Sequence, residues 1–394
     1  MRNLGFIIFL LAACQFVHVM DFMVMMPLNP FLRESMQIDI KAFNYLISAY
    51  AFSAGAFALI AAPFIEKFDR KYALLFLLLG FILGTFCCAF AKDYNQLIIA
   101  RIVSGAFGGM TGTMVISMVG DLVPIHKRAF AMSMIMVAFS LSSIVGMPVG
   151  IYLADNFTWS APFLAIAILS IIVLLACFIF LPNVNDHLNG PTNKQNIFDV
   201  FKRSLFDANQ RNALILMFLV IIGQFTVIPT ISAYMVTNVG LAKTDLTYIY
   251  MIGGIATTIT MPLIGKWADR SSRSNIFTLM ILLSLVPIFI LTRLGEGSVQ
   301  EALLVTVPFF IFISGRMVPA HTIIASAVAQ NQRAGFMSIN TAVREFAAAI
   351  STQIAAFVII DSGSSIENYE IIGYIAIFSS LIALFFVRKI KIIS

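Results

Sequence analysis

This sequence predicts an all-α integral membrane protein of about twelve spanning helices in two six-helix halves. Three observations lead there: an apolar composition that no water-soluble domain tolerates, a train of span-length apolar runs, and a charged loop motif that occurs twice. Of 394 residues, 60% are hydrophobic and 11% charged, with a mean hydropathy of +0.95. Ordinary soluble domains carry about 25% charged residues. At about 20 residues per span, the chain has room for about twelve spans once loops are subtracted, which excludes most enzyme folds.

Apolar runs between polar interruptions place spans at 4–31, 43–65, 72–91, 95–118, 129–153, 160–182, 212–236, 245–265, 275–293, 301–325, 334–360 and 369–387. The first run opens like a lipoprotein signal, with Arg2 and then Leu11-Ala12-Ala13-Cys14, but it continues to about Phe31, the length of a full span. One long polar gap, Asn183 to Arg211, contains the helix-breaking run Asn189-Gly190-Pro191-Thr192-Asn193. It divides the chain into an N-terminal half (1–182), a cytoplasmic linker (183–211) and a C-terminal half (212–394). The four cysteines, Cys14, Cys87, Cys88 and Cys177, all fall in apolar runs and read as small packing residues.

Lys and Arg set the orientation, because cytoplasmic loops retain positive charge. Seventeen of the 25 fall at the termini and alternate loops, from Arg2 through Lys67, Arg70 and Lys71 to Arg388, Lys389 and Lys391. Five fall on the other side: Arg33, Lys41, Lys92, Lys243 and Arg293. Both termini are therefore expected in the cytoplasm, in a multi-pass plasma membrane of the bacterial inner type. The net charge of +6 is spread thinly, with no Lys/Arg-rich run, so the expected partners are the bilayer, a small-molecule substrate and protons, with no nucleic acid. A monomer without cofactor or metal is the expectation.

The loop Ala62-Pro63-Phe64-Ile65-Glu66-Lys67-Phe68-Asp69-Arg70-Lys71 recurs as Gly265-Lys266-Trp267-Ala268-Asp269-Arg270-Ser271-Ser272-Arg273-Ser274. Each closes the second span of a half. An offset of six spans implies parallel halves related about the membrane normal, with a central site reached alternately from either side.

The second copy resembles the loop signature of the major facilitator superfamily, Gly-x-x-x-Asp-Arg-x-Gly-Arg-Lys, with Gly265, Asp269, Arg270 and Arg273 in place. The first copy departs from it, with Ala62, Glu66 and Asp69 at three positions and Arg70 retained. Arg101-Ile102-Val103-Ser104-Gly105 resembles the fourth-helix signature of the drug:proton antiporter branch, and Gly146-Met147-Pro148-Val149-Gly150 resembles its fifth-helix Gly-Pro-x-x-Gly-Gly signature with one extra residue. Asp21 followed by Pro27 resembles the acidic first-helix pattern of the same branch. The resemblance implies a twelve-helix fold around a central cavity, with the first and fourth helices as cavity-lining neighbours. It also implies that Glu66, Arg70, Asp269, Arg270 and Arg273 act as a conformational latch. Charge retained only as a topology signal is the competing reading.

Ionisable groups inside a bilayer are costly and mark functional candidates. Asp21, Arg101, Arg316, Arg344 and Glu345 remain inside the spans, joined by His18 and His321. At about 1.5 Å per residue, Asp21 lies roughly 25 Å and Arg101 roughly 21 Å above the cytoplasmic surface, so the two are able to meet. Burial and a neighbouring Arg pull on a carboxyl's proton in opposite directions, the competition that a proton carrier needs. His18, three residues before Asp21, shares its helical face. Asp21, Arg101, His18 and Glu345 are the proton-coupling candidates, against a permanent structural ion pair as the alternative. Arg344 and Glu345 point about 100° apart, which makes them poor partners, and Arg316 is the expected partner of Glu345. Arg344, Arg316, Gln224, Thr226, Tyr234, Thr257 and Thr258 are substrate-cavity candidates, although helix-packing polar groups look the same in sequence.

No Gly-x-Ser-x-Gly, His-Glu-x-x-His or Gly-x-x-x-x-Gly-Lys motif occurs, so no catalytic constellation or nucleotide site is expected. The function expected is secondary active transport, as proton-coupled efflux of amphipathic small molecules with drugs as the model class. Transport of an anionic or polar metabolite, such as a sugar, siderophore or lipid-like compound, is the alternative that the membrane arginines favour.

Overall fold

The computed structural model describes residues 4–65, 67–185, 197–329, 332–363 and 365–393. Six helices form the first half: α1 (Leu4–Val24), α2 (Ile40–Ile65), α3 (Arg70–Phe90), α4 (Tyr94–Leu122), α5 (Ile125–Leu141, a π turn at Ser142–Gly146, then Met147–Asn156) and α6 (Ala161–Phe180). Six more form the second: α7 (Ala208–Phe225), α8 (Leu246–Arg270), α9 (Arg273–Leu291), α10 (Val299–Gly315, continued by Met317–Ala325), α11 (Arg333–Val358) and α12 (Tyr369–Val387). Among the described residues, eleven stretches are long and apolar enough to cross a membrane. The twelfth, α11, has the length but carries Arg344 and Glu345 within its 26 residues.

Two boundaries differ from the sequence reading. The first span ends at Val24 and not near residue 31, because Pro27 has no N–H to donate and disfavours helix in the residue before it. The chain turns there and re-enters a short helix, Asn29–Met36. The polar gap between halves holds a helix, Ile197–Phe206, and α7 begins at Ala208, capped by the Asp207 carboxylate accepting from Gln210 N. The breaker run Asn189 to Asn193 lies outside the described residues. In α5, Met147 N donates back to Ser142 O across a π turn one residue before Pro148, whose ring cannot continue the ordinary ladder.

Within the first half α3 packs on α4 and α6, α2 on α4, and α1 on α5; in the second, α8 packs on α10 and α7 on α11 and α12. The halves meet along two seams, α2 against α11 and α5 against α8. Both seams depend on glycine, because two helices approach closely only where side chains are missing. A Cβ on Gly55 would stand 3.2 Å from Glu345 Cβ, and one on Gly254 would stand 3.2 Å from Ile144.

Polar contacts across the seams gather at the end of the bundle away from the termini. There Arg33 donates to Asp361 at 2.5 Å and Ile40 N donates to the same carboxylate at 3.1 Å. Lys243 pairs with Glu34, Ser232 Oγ donates to Met26 O, and Gln353 Nε2 donates to Ser48 Oγ. Asp361 sits on a two-residue antiparallel ribbon, β1 (Ile360–Asp361) with β2 (Ile366–Glu367), which leads from α11 into α12. Among the described residues, the hydrogen bonds at the terminal end include Arg70 N to Val184 O, at the start of the linker, and Asn209 Nδ2 to Ala327 O and Lys391 O. Among the described residues, the polar contacts that pin the halves together thus concentrate at the end away from the termini.

A hydrogen bond to a charged group is worth roughly 1.5–3 kcal/mol. Asp361→Asn should therefore raise the population with the pinned end open by about tenfold or more. The check is the labelling rate of a single cysteine at Ser232, buried in that seal, in an otherwise cysteine-free background. An unchanged rate would show that the Arg33–Asp361 pair does not hold the end closed.

Candidate functional site

Asp21 of α1 and Arg101 of α4 are both fully buried, and they meet. Arg101 Nη1 donates to Asp21 Oδ2 at 2.9 Å, and Thr85 Oγ1 of α3 donates to Asp21 Oδ1 at 3.2 Å. The guanidinium carbon lies 4.2 Å from the ring centre of Tyr50 on α2 and 5.9 Å from that of Phe163 on α6. Aromatic faces thus cover a cation whose Nε and Nη2 have no hydrogen-bond partner. Five of the six helices of the half converge on this one pair.

His18, one turn from Asp21, has Nδ1 3.3 Å from Tyr50 Oη, within hydrogen-bond distance. Glycine positions both rings. Gly105, Gly108, Gly109 and Gly112 recur at i, i+3, i+4 and i+7 on one face of α4. A Cβ on Gly108 would stand 2.6 Å from Tyr50 Oη and 3.2 Å from His18 Nδ1; one on Gly112 would stand 3.3 Å from Gln15 Oε1 and 3.4 Å from His18 Nε2. Tyr50, Thr85 and Gln15 were missed in the sequence because each is an ordinary residue in an apolar run. The glycine spacing was the available signal that something lies flat on α4.

On the other side of the α2–α11 seam, Arg344 donates to Glu345 Oε1 through Nη2 at 2.6 Å and Nε at 3.1 Å. This corrects the expectation that these neighbours are poor partners: their Cα directions diverge, but the long Arg stem curls back to bring the head groups together. Glu345 is within electrostatic reach of Tyr50, and Arg344 is within reach of both His18 of α1 and His321 of α10. The Arg344 side chain is 42% exposed, against 15% for Glu345, so the Arg344 side of the pair is the more open one. Phe22 of α1 and Phe225 of α7 meet across the halves with ring centres 5.9 Å apart, toward the pinned end.

Arg316 is not the partner of Glu345. It is buried within the second half, donating to Ser380 Oγ at 2.8 Å and Val220 O at 3.0 Å, and so ties α10 to α12 and α7. Tyr234 donates to Leu294 O and stacks on Tyr369, while Thr226, Thr257 and Thr258 donate to carbonyls of their own helices. These are the uses that make helix-packing groups indistinguishable from cavity groups in sequence. Gln224 differs: its Oε1 is buried without a hydrogen-bond partner. Gly146 and Gly150 bring α5 against α1, where their Cβ positions face Met20 and Val24, and Pro148 lies between them.

Of the loop residues, Glu66 lies outside the described residues. In the first copy Asp69 caps α3, accepting from Lys71 N, and also accepts from Val184 N, while Arg70 pairs with Asp121 at the end of α4. Asp69, at the position where the first copy departs from the signature, therefore does the capping. Asp269, Arg270 and Arg273 of the second copy make no ion pair among the described residues.

The sequence matches the Major Facilitator Superfamily over residues 11–211 and 213–391. The chain belongs to that superfamily. It is a membrane transporter of the major facilitator type. Its sequence is 24% identical over 360 residues to the MFS-type transporter YceJ of Bacillus subtilis (strain 168), covering 89% of this chain and 88% of that one. It is 28% identical over 282 residues to the inner membrane transport protein YdhP of Escherichia coli (strain K12), with 69% of each covered. Its fold is similar to that of a D-xylose-proton symporter, with TM-score 0.77, 16% identity and 96% of each chain covered. It is also similar to a bacterial homologue of the lysosomal transporter Spinster in an inward-facing, unoccupied conformation, with TM-score 0.75, 11% identity and coverage of 98% of this chain and 97% of that one.

In this major facilitator chain the buried pair makes a prediction of its own. Removing one partner of a buried ion pair costs roughly 3–5 kcal/mol, while replacing both with apolar residues is near neutral. Arg101→Met should therefore lower the melting temperature strongly, and Arg101→Met with Asp21→Leu should recover most of the loss. A single variant as stable as the parent would mean that Asp21 is uncharged in the folded protein.

Proposed function

We propose that this chain is a proton-coupled secondary active transporter that exports amphipathic small molecules by alternating access. The observation that supports the reading is a set of ionisable groups, with Asp21, Arg101, Tyr50 and His18 in contact in turn and the Arg344–Glu345 pair within electrostatic reach of them at the opening between the halves. In this reading a proton delivered to Asp21 loosens its hold on Arg101. The guanidinium then leans more on Tyr50, and the Tyr50–His18 contact passes the change to the side of α1 that faces the second half.

In this reading the charge rule puts the pinned end outside, and closure at that end corresponds to an inward-facing conformation. A cargo picked up from the cytoplasm suits export. The Gly146, Pro148 and Gly150 segment, with its likeness to the antiporter signature, supports the same direction. A second reading, transport of an anionic or polar metabolite, is favoured by the exposure of Arg344.

Asp21→Asn keeps an oxygen able to accept from Arg101 and removes the titration. In reconstituted vesicles the parent should drive substrate oppositely to an imposed proton gradient, while Asp21→Asn should retain only gradient-independent exchange. Full proton-driven accumulation by the variant would eliminate Asp21 as carrier, and co-directional movement in the parent would reject antiport.

The latch reading of the repeated loops gives a separate test. Asp269 makes no ion pair among the described residues, and in this reading its partner belongs to another state of the cycle. Asp269→Asn should slow turnover several-fold with substrate affinity little changed. Unaltered kinetics in a correctly inserted variant would reject the latch.

A further inference from the structure

We propose that the ligand received between the halves is an amphipathic organic anion, whose acid group bonds the open edge of the Arg344 guanidinium. This rests on the transporter reading above and narrows its substrate class. Arg344 spends Nη2 and Nε on Glu345 Oε1, leaving Nη1 outside the pair. The exposure is unequal: the Arg344 side chain is 42% exposed and that of Glu345 15%. An arriving cation would therefore meet the guanidinium before the carboxylate, whose Oε1 already accepts two hydrogen bonds.

The surroundings favour the same sign. His18 of the first half and His321 of the second lie within electrostatic reach of Arg344, and an imidazole N–H is able to donate a hydrogen bond to an acid group. The carboxylate of Asp21 is fully buried against Arg101. Arg344 lies roughly 16 Å along α11 from Arg333, too deep for a lipid headgroup at the bilayer surface. Guanidinium recognises carboxylate and phosphonate geometry through paired donors. The apolar part of the ligand has Phe22 and Phe225 beyond it, toward the pinned end.

The test uses the full chain in detergent and a matched series of probes: 2-naphthoate, a naphthyl phosphonate, 2-naphthamide and a naphthylmethylamine. Calorimetry and thermal stabilisation should report binding of the two acids, with the amide and the amine at least tenfold weaker. Arg344→Gln should weaken the acids about tenfold or more, and Arg344→Lys should restore part of the loss. Glu345→Gln, which releases the guanidinium, should tighten them; this gain keeps the proposal testable if Arg344→Gln folds poorly. Preference for the amine, or acid affinity unchanged in both Arg344→Gln and Glu345→Gln, would overturn the proposal. The outcome is separable from the transport reading. Acids that bind but never cross vesicles would reject transport alone, and proton-driven export of neutral or cationic probes without acid binding would reject the anion alone.

Discussion

A carboxylate and a guanidinium sealed from water hold the first half of this transporter together. Desolvating either ion costs several kcal/mol, recovered only where the geometry is close and the remaining surfaces are occupied. Here the recovery requires Thr85 on the second carboxylate oxygen and the rings of Tyr50 and Phe163 around the cation. These groups come from α1, α2, α3, α4 and α6, so the helices must approach closely enough for short polar contacts to form. The glycine face of α4 permits that approach, since Cβ atoms at Gly105 or Gly109 would run into α2.

The same packing separates two kinds of charge. Asp21 and Arg101 are locked away from solvent, whereas Arg344 and Glu345 stand where the halves part. Tyr50 belongs to both environments: its ring covers Arg101, its hydroxyl reaches His18, and its helix is the one on which α11 lies. In the proposed alternating-access cycle, a rocking of one half against the other would slide α11 along α2 and change the surroundings of Tyr50 and Glu345 while the pair behind them keeps its helices. Under that proposal a conformational change and a protonation change would influence each other without either group leaving its own half.

Much of this architecture was legible in the sequence because bilayers impose simple rules. Span length, the loop charge bias and the repeated loop gave the twelve helices and the two halves, and helical rise alone brought Asp21 level with Arg101. What escaped were matters of lateral packing. Nothing in a linear reading distinguishes Arg316, spent on Ser380 and Val220 inside one half, from Arg344, turned into the opening. The pairing of Arg344 with Glu345 was ruled against because backbone direction is readable from sequence and the reach of a flexible stem is not. Asp69 was read as a departure from a motif, although its place just before α3 is where an aspartate is a good helix cap.

An anionic cargo is also consistent with the driving forces on export from a cell whose interior is negative. Each elementary charge crossing the membrane exchanges about 2.3 kcal/mol per 100 mV, and an anion leaving gains this energy, whereas a cation leaving must supply it. In the proposed cycle, a proton entering through Asp21 would move charge in the same electrical sense as an anion leaving past Arg344. The two steps would then add, and the protein would have no need to neutralise its cargo before moving it. In the proposed cycle the two roles are divided between a buried acid, Asp21, and a guanidinium that faces the opening, Arg344.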